Sequence, residues 1–218
     1  MANLSGASQL DVSGIPTGSV KVPGVTLLKA FQGGAVFTDS LGDDSAPIRA
    51  EITPNSKTTY VASGTVVPVT GATDLVTIIG SATKLVKLIR VVFSATILTA
   101  AINGSVSIVK RSTADTGGTS TAPALIPLDS ANAAATAVIA AYTANPTGLG
   151  TAVGAIWQAK YLYQIAASGN PTVLTIDFNQ LGQAGTLRGV AQQLALNLNA
   201  VAFASAGSVD YSFVFTEE

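Results

Sequence analysis

Val209–Asp210–Tyr211–Ser212–Phe213–Val214–Phe215–Thr216 decides the fold class of this 218-residue chain. In an extended strand Val209, Tyr211, Phe213 and Phe215 point one way, and Asp210, Ser212, Val214 and Thr216 the other. The same period of two recurs upstream. Leu194, Leu196 and Leu198 oppose Asn197 and Asn199, while Leu174, Ile176 and Phe178 oppose Thr175 and Asp177. Strands with one buried and one wet side belong to antiparallel sheets, because parallel sheets are covered on both faces.

Working outward, strand-like stretches are expected at 59–69, 75–80, 84–98, 105–110, 136–142, 153–165, 172–178, 194–203 and 209–216. Turn residues separate most of them: Gly71, Asn103–Gly104, Gly117–Gly118, Asn145–Pro146, Gly169–Asn170–Pro171 and Gly207. Many short strands with turn signals at intervals imply an all-β, antiparallel β-sandwich of jelly-roll-like form over 58–218. Residues 1–57 differ. Pro16, Pro23, Gly33, Gly34, Pro47 and Pro54 interrupt any helical stripe, leaving strand-length pieces at 25–31 and 48–52. This segment is expected to be an extended N-terminal arm, ordered by lying on something else. An irregular first layer of the same domain is the competing reading.

Two stretches depart from the pattern. In 84–98, Leu85, Ile89, Val91 and Phe93 fall on one side, and Val86, Leu88 and Val92 on the other. Lys84, Lys87 and Arg90 recur every three residues, so a short helix competes, but the β-branched density favours a strand. A strand apolar on both faces should be covered twice, once by its own second sheet and once by another subunit. Val86, Leu88 and Val92, with Val25, Leu27, Leu28 and Phe31 of the arm, are therefore the candidate interface residues. The second stretch, 113–135, is the weakest for regular structure. A connection of about twenty residues inside a compact domain is usually functional or an interface element.

Composition narrows the chemistry. The chain contains neither histidine nor cysteine. That removes Ser–His and Cys–His nucleophile pairs, an imidazole proton carrier, and the ordinary zinc, copper, haem and iron–sulfur sites. Hydrophobic residues make up 48% but charged residues only 11%, less than half of the roughly 25% usual in soluble domains. A surface so short of charge is the composition expected of a chain buried in an assembly. With a net charge of −1 and no basic run, nucleic acid is not an expected partner. Nor is a membrane: the N-terminus lacks a signal-peptide pattern, and 84–98 is interrupted by Lys87, Arg90, Ser94 and Thr96. Synthesis in the cytosol is expected.

No catalytic, cofactor-binding or metal-ligating set emerges. Gly80–Ser81–Ala82–Thr83–Lys84 lacks the phosphate-loop pattern and reads as a tight turn. Gly42–Asp43–Asp44 offers two carboxylates where calcium needs six to eight oxygens, so it reads as a solvated turn. Asp74, Asp115, Asp129, Asp177 and Asp210 could supply a pair of carboxylates, but their spacing selects none. Ser107 and Lys110 would point to opposite faces of a strand. Trp157, Tyr161 and Tyr163 share one face, where they would either stack on sugars or fill a core; core is the favoured reading.

Several stretches together resemble a known group. They are Gly71–Ala72–Thr73–Asp74–Leu75 through Gly80–Ser81–Ala82–Thr83–Lys84, then Val109–Lys110–Arg111–Ser112 into Thr116–Gly117–Gly118–Thr119–Ser120–Thr121–Ala122–Pro123. With them go Ala141–Tyr142–Thr143–Ala144–Asn145–Pro146–Thr147, Arg188–Gly189–Val190–Ala191, Leu196–Asn197–Leu198–Asn199 and the ending Thr216–Glu217–Glu218. As a set they resemble uncharacterised virion proteins of tailed bacteriophages and prophages, over roughly Thr58 to Glu218. The resemblance implies a β-sandwich component of the virion, on the capsid surface or in the tail or neck, and carries no catalytic residue. It also implies symmetric self-association, with a trimer favoured. The expected function is a non-enzymatic capsid decoration or cement protein, made in the host cytoplasm and located in the virion. Its partners would be the major capsid protein or other virion proteins. A tail or neck connector and a host-surface glycan reader of a fibre or spike are the alternatives.

Overall fold

The computed structural model describes residues 20–22, 25–31, 34–38, 57–98, 100–168, 171–178, 185–202 and 207–218. The chain divides into two units, Met1–Ser56 and Lys57–Glu218. In the first, β1 (Val20–Val22), β2 (Val25–Phe31) and β3 (Gly34–Thr38) pair antiparallel in the order β1-β2-β3. The strand expected at 25–31 is β2. The one expected at 48–52, and the Gly42–Asp43–Asp44 turn, lie outside the described residues.

The second unit is built from β4 (Thr58–Val66), β5 (Ala72–Ile79), β6 (Leu85–Ile97), β7 (Ile102–Arg111), β8 (Thr119–Thr121), β9 (Ile126–Pro127) and β10 (Val138–Ala144). It continues with β11 (Ala152–Ile165), β12 (Val173–Asp177), β13 (Thr186–Arg188), β14 (Gln193–Val201) and β15 (Ser208–Glu217). Eight of these form two antiparallel sheets, β4-β15-β6-β12 and β5-β14-β7-β11. Taken in sequence, these strands cross from one sheet to the other at every step but β7 to β11, which is the jelly-roll order. The end of β11 joins the two sheets, because Gln164 and Ile165 pair parallel with Thr96 and Ile97 of β6. The result is an all-β, curled, mixed sheet. Each strand expected after residue 58 is present.

The core lies between the sheets. Phe93, Tyr163, Phe213 and Phe215 are fully buried there with Leu75, Ile78, Leu88, Ile97 and Ile108. Phe93 stacks edge-on against Tyr161 at a centroid separation of 4.8 Å, a favoured aromatic geometry. The Val209, Tyr211, Phe213 and Phe215 face of β15 is buried as its alternation predicts.

Two expectations need correction. The first concerns β6, read as apolar on both faces. At Ile89 the ladder shifts: Val214 pairs with Arg90 but Phe215 with Leu88. One extra residue in a bulge reverses the parity of everything beyond it. Val86 and Leu88 before the bulge, and Val91, Phe93, Ala95 and Ile97 after it, therefore all face the same core. The second concerns β14, expected to keep one side wet. Every residue from Gln193 to Leu198 is buried, so its sheet is covered on its outer face too.

The 113–135 connection is a strap between the sheets. β8 extends one sheet beyond β10, and β9 pairs with β4 of the other. Its far end is held by Glu217 of β15. That carboxylate accepts hydrogen bonds from Thr136 N and Ala137 N at 2.7 Å each, and from Lys84 Nζ at 3.1 Å. Burial works to raise the Glu217 pKa, but these donors outweigh it and hold it below the ordinary value.

β14 carries one local strain. Asn199 and Ala200 sit at φ 53° and 55°, between Asn197, paired with Asp74, and Val201, paired with Ala72. The Asn199 side chain compensates by donating to Ser105 O at 3.0 Å; Ala200, exposed, has nothing to offer. A left-handed conformation costs an alanine roughly 1–2 kcal/mol. Ala200→Gly is expected to raise the stability of the second unit by on the order of 1 kcal/mol in denaturant unfolding. A loss of stability would contradict the strain.

Candidate functional site

The face of β5, β14 and β7 turned away from the core is polar. Across the ladder Ala195 stands opposite Thr77 and Val109, Gln193 opposite Arg111, and Asn197 opposite Asp74 and Ser107. Strand partners share a face, so Asp74, Thr77, Ser107, Arg111, Gln193 and Asn197 line one outer surface. All of them are buried. Arg111 holds the group together. Its Nε donates to Asp74 Oδ2 at 2.6 Å, one terminal nitrogen to Asp74 Oδ1 at 3.0 Å, and the other to Gly150 O at 2.7 Å. Asn197 Nδ2 adds a further hydrogen bond to Asp74 Oδ1, and Asn197 Oδ1 accepts from Asn199 N at 2.6 Å.

What covers this face is a flap of two crossing segments, 112–118 and 145–151. Thr116 N donates to Gly148 O at 2.8 Å, Gly148 N to Thr116 O at 3.1 Å, Ser112 N to Thr151 O at 2.9 Å, and Thr151 N to Thr113 Oγ1 at 2.7 Å. Asn145 fastens the second segment to β5, accepting from Thr73 N at 3.2 Å and donating to Gly71 O at 3.1 Å. Two glycines make the crossing sterically possible. At Gly150 a Cβ would stand 1.9 Å from Thr113 O, and at Gly118, φ +77°, 2.6 Å from Asn145 O.

Asp115, in the flap, faces the same guanidinium. Its Oδ1 lies 3.6 Å from Arg111 Nε and accepts from Gly150 N at 2.8 Å, while its own N–H donates to Gln193 Oε1 at 3.0 Å. Its Oδ2, Gln193 Nε2 and Thr77 Oγ1 make no close hydrogen bond, although the Gln193 side chain approaches Asp115 and the Thr77 side chain approaches Tyr142. Burial pushes the Asp115 carboxyl up; the Gly150 N–H pulls it down and the Asp74 charge pushes it up again. Tyr142 of β10, on the same face, is likewise raised by burial and then by the Asp115 charge. Both carboxylate side chains are 0% exposed. The cluster fastens flap to sheet and presents no reactive group to solvent.

The second feature is an edge. Residues 152–163 of β11 pair with β7 on one side only, and among the described residues nothing pairs with the other side. Ala152, Val153, Gly154 and Ala155 are all exposed, Val153 to 65% and Leu162 to 39%. Lys160 is the only charge in the strand. Sheet edges are usually blunted by charge or proline; here two ladder irregularities, at 152–154 and 155–157, take that part.

Of the candidate interface residues, Val86 and Leu88 are 0% exposed and belong to the chain's own core, for the reason the bulge gives. Val92 is half-buried on the outer face of β6, opposite Ser212 and Thr175. Val25, Leu27, Leu28 and Phe31 lie on β2, their side chains outside what is described. Trp157 is half-buried against the core, and Tyr161 and Tyr163 are buried within it. Gly80 to Lys84 is a turn: Ser81 Oγ accepts from Thr83 N at 3.1 Å and Lys84 N at 3.2 Å. Of the five aspartates considered as a pair, Asp74 and Asp115 meet around Arg111, joined by an arginine and two amides that spacing did not flag.

The buried pair sets a large stability contrast. Asp74→Ala removes the bidentate partner of a guanidinium that is 6% exposed and leaves it Asp115 at 3.6 Å; breaking such a buried pair costs up to about 3–5 kcal/mol. Asp177→Ala breaks an Arg90 pair whose partners are 51% and 48% exposed, worth about 0–1 kcal/mol. Equal losses in urea unfolding would refute the assignment. Compared with known proteins, the chain matches no family model, no curated protein and no solved structure.

Proposed function

We propose that this protein is a non-enzymatic structural component of a bacteriophage virion, seated on the head as a decoration or cement protein. The observation that carries the reading is the open edge of β11. Its exposed start, Ala152–Ala155, is uncharged and presents unpaired backbone groups to any strand laid alongside. The low charge of the chain, 11%, and the resemblance to virion proteins of tailed phages point the same way. Jelly rolls serve viral capsids, lectins and cupins alike, so the topology is compatible with the reading without selecting it. The glycan-reader alternative finds little support in Trp157, Tyr161 and Tyr163, because the core takes them up.

Mechanistically, the second unit would dock on the shell while residues 1–57, through Val25, Leu27, Leu28 and Phe31, contact neighbouring capsid or decoration subunits. Once one contact forms, the other becomes effectively intramolecular, and avidity exceeds either affinity alone. Symmetric self-association, with a trimer favoured, places several such contacts on one assembly.

Two experiments test this. Cryo-electron microscopy of particles is expected to locate the chain at regular lattice positions on the head; density in the tail, the neck or a fibre tip would overturn the decoration reading. Val153→Lys charges a side chain that makes no core contact, so the thermal midpoint should hold while affinity for particles falls at least tenfold, about 1.4 kcal/mol. Unchanged occupancy with both Val153→Lys and Leu162→Lys would exclude the β11 edge as the contact.

A further inference from the structure

The flap poses a problem of charge. Arg111 spends its donors on Asp74 and on Gly150 O, and one guanidinium balances one carboxylate. Asp115 is a second acid in the same buried space: Gly150 N donates to one oxygen, the Gln193 side chain draws the carboxyl down more weakly, and no close donor meets Oδ2. Ionised, it has to share the Arg111 guanidinium with Asp74 and leaves the buried cluster one negative charge in excess, a cost far larger than that of an ordinary buried hydrogen bond. The groups facing it are Asp74 from β5, Arg111 from β7 and Tyr142 from β10, with the neutral Gln193 and Asn197 from β14. None of them supplies a positive charge beyond the one already matched. A metal ion is disfavoured, because Arg111 occupies the position between the two acids.

We propose that a proton latches the flap: with 112–118 and 145–151 closed on the sheet, the Asp115 carboxyl is neutral, with the proton on Oδ2. The cluster is then electrically balanced, and the oxygen without a partner becomes a donor. The same proton removes carboxylate–carboxylate repulsion across a single guanidinium nitrogen. Opening the flap hydrates Asp115, returning it towards an ordinary carboxylate. The closed-state value lies above the open-state one, so closure is strongest below the ordinary carboxylate range. It weakens as pH rises through the window up to the closed-state value, and levels off above that. Glu217, held below its ordinary value, runs oppositely, because its contribution is lost as pH falls. It fastens 136–137 and not the flap, so the two effects separate by location. This inference does not depend on the virion reading.

The test is amide hydrogen exchange on the full chain across pH, comparing wild type with Asp115→Asn, which copies the neutral acid. Taking the ratio of the two at each pH cancels the intrinsic pH dependence of exchange. Relative to the variant, wild type should lose protection at Ser112, Thr116, Gly148, Gly150 and Thr151 by up to about tenfold per pH unit across the window. Amides of the β4–β15 ladder should not change. A constant ratio at every pH overturns the latch. Should the variant fail to fold, carbon-13 carboxyl titration of wild type decides: a midpoint for Asp115 above the ordinary value of about 3.9 supports the proton, and one at or below it refutes it.

Discussion

A guanidinium placed on the outside of a sheet, yet shut away from water, governs how the second unit is put together. Arg111 ends β7 and points away from the core. A buried charge persists only when paired and fully hydrogen-bonded, and its neighbours meet that demand from three parts of the chain. Asp74 comes from β5, Gly150 from the segment before β11, and Asn197 from β14 supports Asp74 in turn. The flap thus takes part in Arg111's coordination, and its tight glycines follow from the closeness this requires. Segments far apart in sequence, around Asp74, Arg111 to Gly118 and Asn145, meet here, and Asn197–Leu198–Asn199 adds a fourth.

Covering one sheet on both faces also accounts for the composition. A plain two-layer sandwich leaves every strand one polar side, and charge accumulates there. Here β14 is buried on both sides from Gln193 to Leu198, so its second face uses Gln, Ala and Asn in place of Lys and Glu. The polar residues of that face are therefore amides, hydroxyls and one ion pair, most of which bond to one another and none of which faces water. Part of the low charge of the chain comes from this internal second layer, and not all of it needs an external partner.

How much of this was legible in the sequence depended on the range of the interaction. Alternation is local, so β12, β14 and β15 could be read from their own residues, and Val209 to Phe215 alone announced an all-β fold. A bulge is not local: whether Ile89 is an extra residue depends on how β15 pairs with β6, which no pattern within 84–98 encodes. Reading straight through it assigned Val86 and Leu88 to an outer surface that they never reach. The Arg111 cluster escaped for the same reason. Its acids are separated by 41 positions, since Asp74 and Asp115 come together only through the sheet order. The available signal was an arginine ending an apolar strand, with Asn197 interrupting a leucine alternation.

The two features outside the core are mechanically joined at Arg111. Its backbone pairs with Ala152, the first residue of the open edge, while its side chain holds Gly150, two residues earlier. A closed flap therefore fixes the position from which β11 starts, and a loosened one releases it. Adding a strand to a preformed edge costs less ordering entropy than adding it to a frayed one. On the proposed reading, closure would favour strand addition, and by linkage an added strand would favour closure to the same degree. An edge so coupled would gain affinity without new contacts, simply because the buried cluster two residues away had already ordered it.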